Sequence, residues 1–330
     1  MNPKVSVIIP NYNHAAFLQQ RLDSVFNQSF QDFEVILLDD ASTDESAILL
    51  KEYENHPKVN AVVINTENSG SPFKQWRKGI ELAKGKYIWI AESDDVANTL
   101  FLEKTVNFAE AKENLGLVFV ASEVIYQNGT VGNKKINPLN KTTGFTISTI
   151  EDISRYLIVV QSIPNASGVL FDATILKSIN LSDLECFNNT GDRYTYIHIA
   201  LNSSIYYLDE ALNYFRDHDH NTTKKNKVNN KLVYDRIVIT EGVIPYFAGN
   251  ELASANLKQF YFKQIFISLK TGFVKKINSV NYKMYKYGLL SLSDFLALLL
   301  LSLISIIFRD RLPYRIKNYY KLRFWNENNY

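Results

Sequence analysis

Five short stretches of this sequence are mostly apolar, and each has the length of a strand buried on both faces. They are residues 5–9, 33–38, 59–64, 87–91 and 117–121. Between most of them lie stretches with apolar residues on one helical face, such as residues 14–27 and 73–83. Strands and helices that alternate in this way are typical of a parallel sheet. The pattern predicts an α/β fold, Rossmann-like, with a mainly parallel sheet flanked by helices.

Polar residues follow several of these predicted strands directly. Tyr12 follows the first strand, Asp39 and Asp40 follow the second, and the acidic residues 92–95 follow the fourth. Right-handed crossovers bring the carboxyl ends of parallel strands to one edge, where open α/β sheets bind their ligands. Clustered carboxylates at that edge could hold a divalent cation, which in turn binds phosphate oxygens. The alternative is an acidic turn that caps the next helix.

The loops after these strands lack the glycine patterns of two common nucleotide-binding sheets. No Gly-x-Gly-x-x-Gly follows the first strand, and no Gly-Lys-Ser/Thr loop occurs. The dinucleotide-binding and P-loop classes are therefore excluded.

The next part of the chain has weaker patterns. Residues 129–144 are predicted to form a loop or hairpin, and residues 150–160 a helix. Asp192 stands in the first turn of a predicted helix, and residues 204–207 and 211–215 are predicted as two short strands.

Three of the strand ends carry motifs in a specific order. They read Val-Ile-Ile-Pro-Asn-Tyr-Asn at 7–13, Leu-Asp-Asp-Ala-Ser-Thr-Asp at 38–44 and Ala-Glu-Ser-Asp-Asp at 91–95. In this order and at these separations they resemble the family 2 glycosyltransferases of GT-A fold. The helix start at Gly191-Asp192 and the segment 216–221 are similar to later landmarks of that family. The resemblance covers residues 4 to about 223 and implies sugar transfer from a nucleotide diphosphate donor with inversion at the anomeric carbon.

The resemblance also implies which residues bind the donor, for which a UDP-sugar is favoured. Tyr12 would pack on the base, and Asp40 would hydrogen-bond it. The implied donor contacts are Pro10, Tyr12, Asn13, Asp40, Asn68, Gly70, Lys74, Arg77, Glu92 and Ser93.

A cation and a base complete the implied chemistry. Asp94, Asp95 and His218 are the expected ligands of Mg²⁺ or Mn²⁺, and Asp192 is the expected general base. The cation would neutralise charge on the leaving diphosphate, and the base would lie within hydrogen-bond reach of the acceptor hydroxyl. A first-turn aspartate is also favoured by the helix dipole alone, so Asp192 has a purely structural alternative.

This sequence departs from the family pattern at two places. Glu92 stands where the family usually has the first aspartate of an Asp-x-Asp motif. Trp76-Arg77 stands where Arg-Asn is usual.

The 330 residues, 46% of them hydrophobic, are enough for one large domain or two moderate ones. We expect a GT-A domain over residues 1–225 and a helical, partly apolar extension over residues 226–330. The net charge of +2 conceals an asymmetry, because residues 1–250 sum to about −7 and residues 251–330 to about +9. A basic extension on an acidic body suggests an anionic surface as partner.

Within the extension, residues 289–308 are almost wholly apolar. The uncharged part, residues 295–308, is shorter than the ~20 residues of a bilayer span. Six basic residues with interleaved aromatic residues follow, so residues 289–325 are expected to associate with an anionic membrane surface. The extension has no nucleic-acid-binding motif. A core helix followed by a solvated basic helix is the alternative.

The amino terminus lacks the apolar core of a secretory signal, and the single cysteine, Cys186, fits a reducing compartment. We expect a cytoplasmic enzyme, peripheral on the inner membrane, that extends a glycan or lipid-linked acceptor in surface polysaccharide synthesis. The rivals are an inactive nucleotide-sugar-binding membrane scaffold and a sugar nucleotidyltransferase. The second would need a Gly-rich basic loop after the first strand.

Overall fold

The computed structural model describes residues 2–136, 144–218, 231–270, 276–308, 320, 323 and 324. The chain divides into two compact units. The first contains residues 1–148 and 161–221, and the second contains residues 149–160 and 222–330. Residues 149–160 thus group with the carboxyl-terminal helices although they precede them by some seventy positions in the chain.

The first unit is built on one mixed sheet. Its strands are β1 (Val5–Asn11), β2 (Phe33–Asp39), β3 (Val59–Ile64), β4 (Tyr87–Ile90), β5 (Val96–Ala97), β6 (Leu115–Tyr126), β7 (Val131–Ile136), β8 (Phe145–Ile147), β9 (Val169–Asp172) and β10 (Ser204–Asp217). The order across the sheet is β3-β2-β1-β4-β9-β6-β10-β5, with β7 on β6 and β8 on β10.

Four strands form the parallel half of the sheet, β3-β2-β1-β4. Every residue of β1, β2 and β4 is buried, as expected for strands covered by helices on both faces. β9 lies antiparallel between β4 and β6, so the sheet is mixed at its centre. The α/β fold with helices around a largely parallel sheet is confirmed, and the insertion of an antiparallel strand was not predicted.

The helices of this unit are α1 (Ala15–Phe26), α2 (Ser46–Glu52), α3 (Pro72–Leu82), α4 (Phe101–Glu110), α6 (Ala173–Ser178) and α7 (Gly191–Ala200). α3 begins sharply because Ser71 accepts a hydrogen bond from the Phe73 N–H and Pro72 occupies the first helical position. The two short strands predicted at 204–207 and 211–215 are one strand, β10, with a register shift between Leu208 and Ala211. Such a shift bends the strand locally.

The second unit is helical in the described residues. A short helix, α5 (Ile150–Asp152), continues as a π-helix over Ile153–Val160. The others are α8 (Lys231–Phe247), α9 (Glu251–Lys270), α10 (Ile277–Lys286) and α11 (Leu292–Phe308). Among the described helices, none combines the length and apolarity needed to cross a bilayer. Of the basic residues after α11, the structure describes only Arg323. Of the predicted loop or hairpin at 129–144, it describes residues 129–136 and 144.

Candidate active site

The ends of three parallel strands meet at one edge of the first unit. Asn11 at the end of β1 is in register with Asp39 at the end of β2, and its Nδ2 donates to Asp39 Oδ1 at 2.8 Å. β4 pairs with the other side of β1, so the acidic loop 92–95 leaves the sheet beside the loop that follows β1. The predicted convergence of these loops is therefore present.

Two histidines and one aspartate form a candidate metal centre at this edge. His14, Asp94 and His218 each offer a ligand atom, and these atoms lie within 4.8 Å of one another. His218 Nε2 is 3.0 Å from Asp94 Oδ2, and the rings of His14 and His218 meet edge to face at 5.6 Å. Nδ1 of His14 lies 2.9 Å from Oγ of the buried Ser93, which fixes the orientation of the ring.

The donor set of this centre suits a divalent cation. Of the two expected cations, Mn²⁺ is a transition metal and accepts imidazole nitrogen better than Mg²⁺, which prefers ligand sets made of oxygen alone. Burial would raise the pKa of Asp94, but the hydrogen bond from His218 and the nearby His14 outweigh it, so the pKa lies below its ordinary value. The carboxylate is therefore ionised at neutral pH, as a ligand must be.

Asp95 takes a different position from the one predicted. It is buried, and its two oxygens accept hydrogen bonds from the Arg216 N–H at 2.8 Å and from Asn165 Nδ2 at 2.6 Å. Burial, followed by the charge of Asp94, raises the pKa of Asp95 to about 6. Among the described residues, Asp95 is not part of the His–Asp cluster. Its role in this structure is to anchor the acidic loop to β10.

Two buried arginines lie behind the same loop. Arg21 on α1 donates from Nε to the Glu92 carbonyl at 2.8 Å, and Arg216 on β10 donates from Nε to the Asp94 carbonyl at 2.6 Å. Burial lowers the pKa of Arg21 to about 10, although the charges of Asp95, Asp94 and Glu92 oppose the shift. Both arginines remain cations at neutral pH, so they offset the negative charge of the loop while they fix its backbone.

Glu92 is directed to α3. Its Oε1 accepts a hydrogen bond from Trp76 Nε1 at 2.8 Å. Burial, followed by the charge of Asp94, raises the pKa of Glu92 to about 8 despite this bond. Glu92 is therefore largely protonated at neutral pH in the absence of a bound cation.

Asp40 is the centre of a hydrogen-bond network within the site loops. Its carboxylate accepts from five groups at 2.7 to 3.2 Å. They are the side chains of Asn65, Asn68, Ser69 and Gln75 and the backbone N–H of Ser69. The described structure thus gives Asp40 a role in holding the loop after β3, in addition to the base contact that the resemblance implies.

The other predicted donor-binding residues near the first strand lie in or beside the same loops. Pro10 is buried within β1, in register with Leu38. Asn13 adopts a left-handed φ of 54° and accepts the Thr43 N–H at 2.7 Å, which ties the loops after β1 and β2 together. Tyr12 is 45% exposed, so its side chain is partly accessible from solvent.

The loop before α3 is closed by local contacts. Asn68 accepts the N–H of Gly70 at 2.9 Å, and Gly70 has a φ of 76°. Lys74 Nζ donates to the Ser69 carbonyl at 3.0 Å. Arg77 pairs with Glu81 at 2.8 Å and with Glu185 at 2.7 Å. In this structure the two cations serve the loop and the surface, so a phosphate would have to displace these partners.

Asp192 lies at the first turn of α7, and its Oδ1 accepts the Arg193 N–H at 2.7 Å. One turn later is the buried Tyr196, whose pKa is raised well above its ordinary value by burial and then by the charges of Asp192 and Glu92.

α3 connects these parts. Gln75 donates to Asp40 at 2.7 Å, Trp76 donates to Glu92 at 2.8 Å, and the Phe73 ring packs so closely on Gly191 that a Cβ there would be 2.7 Å from it. The first turns of one helix therefore hold the loop after β2, the loop after β4 and the start of α7.

The family model described as Glycosyl transferase family 2 matches residues 6–172 of the chain. The chain belongs to glycosyl transferase family 2. The matched span contains the three strand-end motifs, and the family predicted from them is confirmed.

Two curated relatives of the chain are glycosyltransferases named for a polymer. It is 38% identical over 113 residues to a poly(ribitol-phosphate) beta-glucosyltransferase of Bacillus spizizenii, covering 34% of this chain and 18% of the relative. It is 34% identical over 135 residues to the putative teichuronic acid biosynthesis glycosyltransferase TuaG of Bacillus subtilis, covering 41% of this chain and 53% of the relative. The chain thus spans about half or less of the length of these relatives.

Solved structures share its fold. S. aureus TarS 1–349 in complex with UDP-GlcNAc aligns with a TM-score of 0.60 at 20% identity over 97% of this chain and 88% of that chain. The mannosyltransferase PcManGT of Pyrobaculum calidifontis in complex with GDP-Man and Mn²⁺ aligns with a TM-score of 0.55 at 16% identity, over 97% and 85% of the two chains. The predicted GT-A fold is confirmed.

Proposed function

We propose that this protein is an inverting, cation-dependent glycosyltransferase that moves a sugar from a nucleotide diphosphate donor to an acceptor hydroxyl. One observation carries the proposal. The helix α3 contacts the loop after β2, the loop after β4 and the start of α7. α3 thus contacts Gly191, the neighbour of Asp192, and Glu92 in the loop that also carries Asp94 of the His–Asp cluster, which supports a base and a cation site close to one another. The two activities that transfer requires, stabilisation of a leaving diphosphate and deprotonation of a nucleophile, thus have candidate residues in one region.

His14, Asp94 and His218 would hold the cation, and Mn²⁺ suits the imidazoles better than Mg²⁺ does. When bound, the cation supplies a Lewis acid for the oxygens of the diphosphate. Arg21 and Arg216 keep the Glu92 and Asp94 carbonyls in place, so that the Asp94 carboxylate is presented in one orientation.

Asp192 supplies the base in this mechanism. The acceptor oxygen attacks the anomeric carbon on the face opposite the diphosphate and passes its proton to the Asp192 carboxylate. The new carbon–oxygen bond forms as the bond to the diphosphate oxygen breaks, and the nucleoside diphosphate leaves with the bonding pair. A single displacement of this kind inverts the anomeric configuration.

The exposed ring of Tyr12 and the network of Asp40 would bind the nucleotide base, with UDP the favoured nucleotide. UDP-GlcNAc in one structural neighbour supports this choice. Asn13, Asn68, Gly70 and Ser93 would shape the donor pocket around them. Lys74 and Arg77 would reach the diphosphate or ribose by giving up their present partners.

The acceptor we propose is a glycan assembled on a lipid in surface polysaccharide synthesis. The names of the poly(ribitol-phosphate) and teichuronic acid relatives support a surface polymer. We place the enzyme on the cytoplasmic face of the inner membrane, held by residues 289–325. Residues 1–225 would carry catalysis, and residues 226–330 would carry this attachment.

The direct test is calorimetric titration of the full chain with UDP and GDP, with Mn²⁺, with Mg²⁺ and with EDTA. We expect UDP to bind with Mn²⁺ and to lose most of its affinity in EDTA or in Asp94→Asn. Binding of no nucleotide under any of these conditions would contradict the proposal. Transfer is tested with UDP-sugars and poly(ribitol phosphate) as a trial acceptor, with the anomeric configuration of the product read by NMR. Nucleotide binding without turnover on any acceptor or water would instead identify the scaffold.

A further inference from the structure

α11 has two very different faces. Leu298, Leu301 and Ser302 are buried. Along the opposite side runs a leucine stripe, which we define as Leu292, Leu296, Leu300 and Leu303. These side chains are between 53% and 59% exposed. Their spacing of four, four and three residues places them on one line along the helix.

Aromatic side chains continue this surface onto α10. Tyr285 stacks on Phe295 of α11, with ring centroids 5.1 Å apart and planes inclined by 16°. Tyr282 lies one turn earlier on the same face of α10, 6.4 Å from the same ring, and is 58% exposed. Lys286 follows Tyr282 by four residues and is also exposed. The leucine stripe is therefore bordered by tyrosines that carry a polar tip and by a cation.

We infer that the leucine stripe, with Tyr282, Tyr285 and Lys286 at its border, is the surface on which this protein docks to an anionic lipid bilayer. The inference deepens the membrane attachment proposed above and rests on it, but it is independent of catalysis. It names the lipid-facing residues within the described part of the chain. It also sets the helix in the plane of the membrane.

The length of α11 and the charge of residues 251–330 favour a lipid bilayer as the partner of the leucine stripe. A helix of 17 residues is about 25 Å long, which is shorter than the ~30 Å hydrocarbon layer, so α11 fits along the interface and does not reach across. A leucine face bordered by tyrosine and lysine has the composition of a helix that lies at the headgroup level. The net charge of about +9 over residues 251–330 attracts anionic lipid and would oppose association with a second copy of the same surface.

The experiment is flotation of the purified full chain with vesicles. One vesicle type contains phosphatidylcholine with about one-third phosphatidylglycerol, and the other contains phosphatidylcholine alone. We expect the wild-type protein to float with the anionic vesicles and much less with the neutral ones. Leu296→Gln with Leu300→Gln removes the middle of the stripe and should lower the partition coefficient by about tenfold or more.

Ile48→Gln is the matched control, because Ile48 lies on α2 of the first unit and is 66% exposed. It should float as the wild-type protein does. Equal flotation of the stripe variant and the wild-type protein would overturn the inference, as would a wild-type dimer in solution that the stripe variant converts to a monomer. UDP affinity, measured on the same samples, should not change. If the stripe variant loses lipid binding and keeps UDP binding, only the docking surface has been affected. If the wild-type protein does not bind UDP, only the proposed transferase function is contradicted.

Discussion

Trp76 donates a hydrogen bond from its indole Nε1 to Oε1 of Glu92 at 2.8 Å. Each of these residues belongs to one of the two places at which this sequence departs from the family pattern. Glutamate has a longer arm than aspartate, and the indole of α3 meets its end. One departure thus accommodates the other, and the pair joins α3 to the acidic loop beside the candidate metal centre.

We expect the two residues to be energetically coupled. Trp76→Phe keeps the aromatic volume but removes the donor, and Glu92→Met keeps the length of the side chain but removes the acceptor. A double-mutant cycle on the free energy of unfolding should give a coupling of about 0.5–1.5 kcal/mol, the net range for a hydrogen bond between uncharged groups. Chemical denaturation of the four proteins measures it. Trp76→Phe with Tyr87→Phe is the control cycle, and additivity in the first cycle would show that the bond contributes nothing.

Glu92 also predicts a pH dependence of stability. Its pKa rises from the ordinary value of 4.5 to about 8 because the carboxyl is buried and lies near Asp94. The folded protein therefore holds this proton more tightly than the unfolded chain, so the free energy of unfolding falls as pH rises from about 4.5 to about 8. Asp95, with its pKa raised to about 6, adds to the fall in the lower part of this range.

Glu92→Gln should remove the part of this decline that belongs to Glu92. Between about pH 5 and about pH 7 we expect the wild-type protein to lose roughly 2 kcal/mol more than the variant. Urea denaturation in EDTA at several pH values measures the two curves, and Glu81→Gln on the exposed side of α3 is the control. Parallel curves for the wild-type and Glu92→Gln proteins would show that Glu92 titrates normally.

His14 provides a test of the candidate metal centre itself. Its ring lies 5.6 Å from that of His218 and is oriented by Ser93. We expect His14→Ala to weaken Mn²⁺ binding by about tenfold or more, because it removes one of three ligands. Ser93→Ala removes only the orienting hydroxyl and should have a smaller effect in the same direction. Mn²⁺ affinity is measured by electron paramagnetic resonance without substrate, so catalysis does not enter. His56→Ala, away from the cluster, should bind as the wild-type protein does.

The sequence predicts the parallel half of the sheet because β1, β2, β3 and β4 are continuous apolar stretches with turn residues at their ends. It does not predict that β9 enters between β4 and β6, because the partner of a strand is decided by contacts far apart in the chain. β5 has only two residues and carries no periodic pattern.

The candidate site also contains residues that the sequence predicts and residues that it does not. Asp94 and His218 are named from motif order, and the structure brings these two within hydrogen-bond distance, whereas the role of Asp192 stays a prediction. His14 has no such signal, since its ring meets Asp94 only after the loops that follow β1 and β4 come together. Arg21 shares the buried face of α1 with Leu18, Leu22 and Val25, where the apolar pattern gives no reason to expect a cation. The presence of an arginine on an otherwise apolar helical face is the one feature of the sequence that could have indicated a role for Arg21.

Asp192→Asn tests the role of Asp192 as the base and leaves the other residues of the site unchanged. The amide keeps the size of the carboxylate and can still accept the Arg193 N–H, so α7 should begin as it does in the wild-type protein. It cannot accept the acceptor proton, so we expect kcat to fall by about 10²- to 10⁴-fold while UDP affinity in Mn²⁺ changes little. Asp183→Asn, which removes charge near Tyr194 on the same helix, is the control and should keep its activity. Asp192→Asn with normal turnover would leave this carboxylate with a helix-capping role and would require another base. Loss of UDP binding in the variant would place Asp192 in donor binding and not in proton transfer.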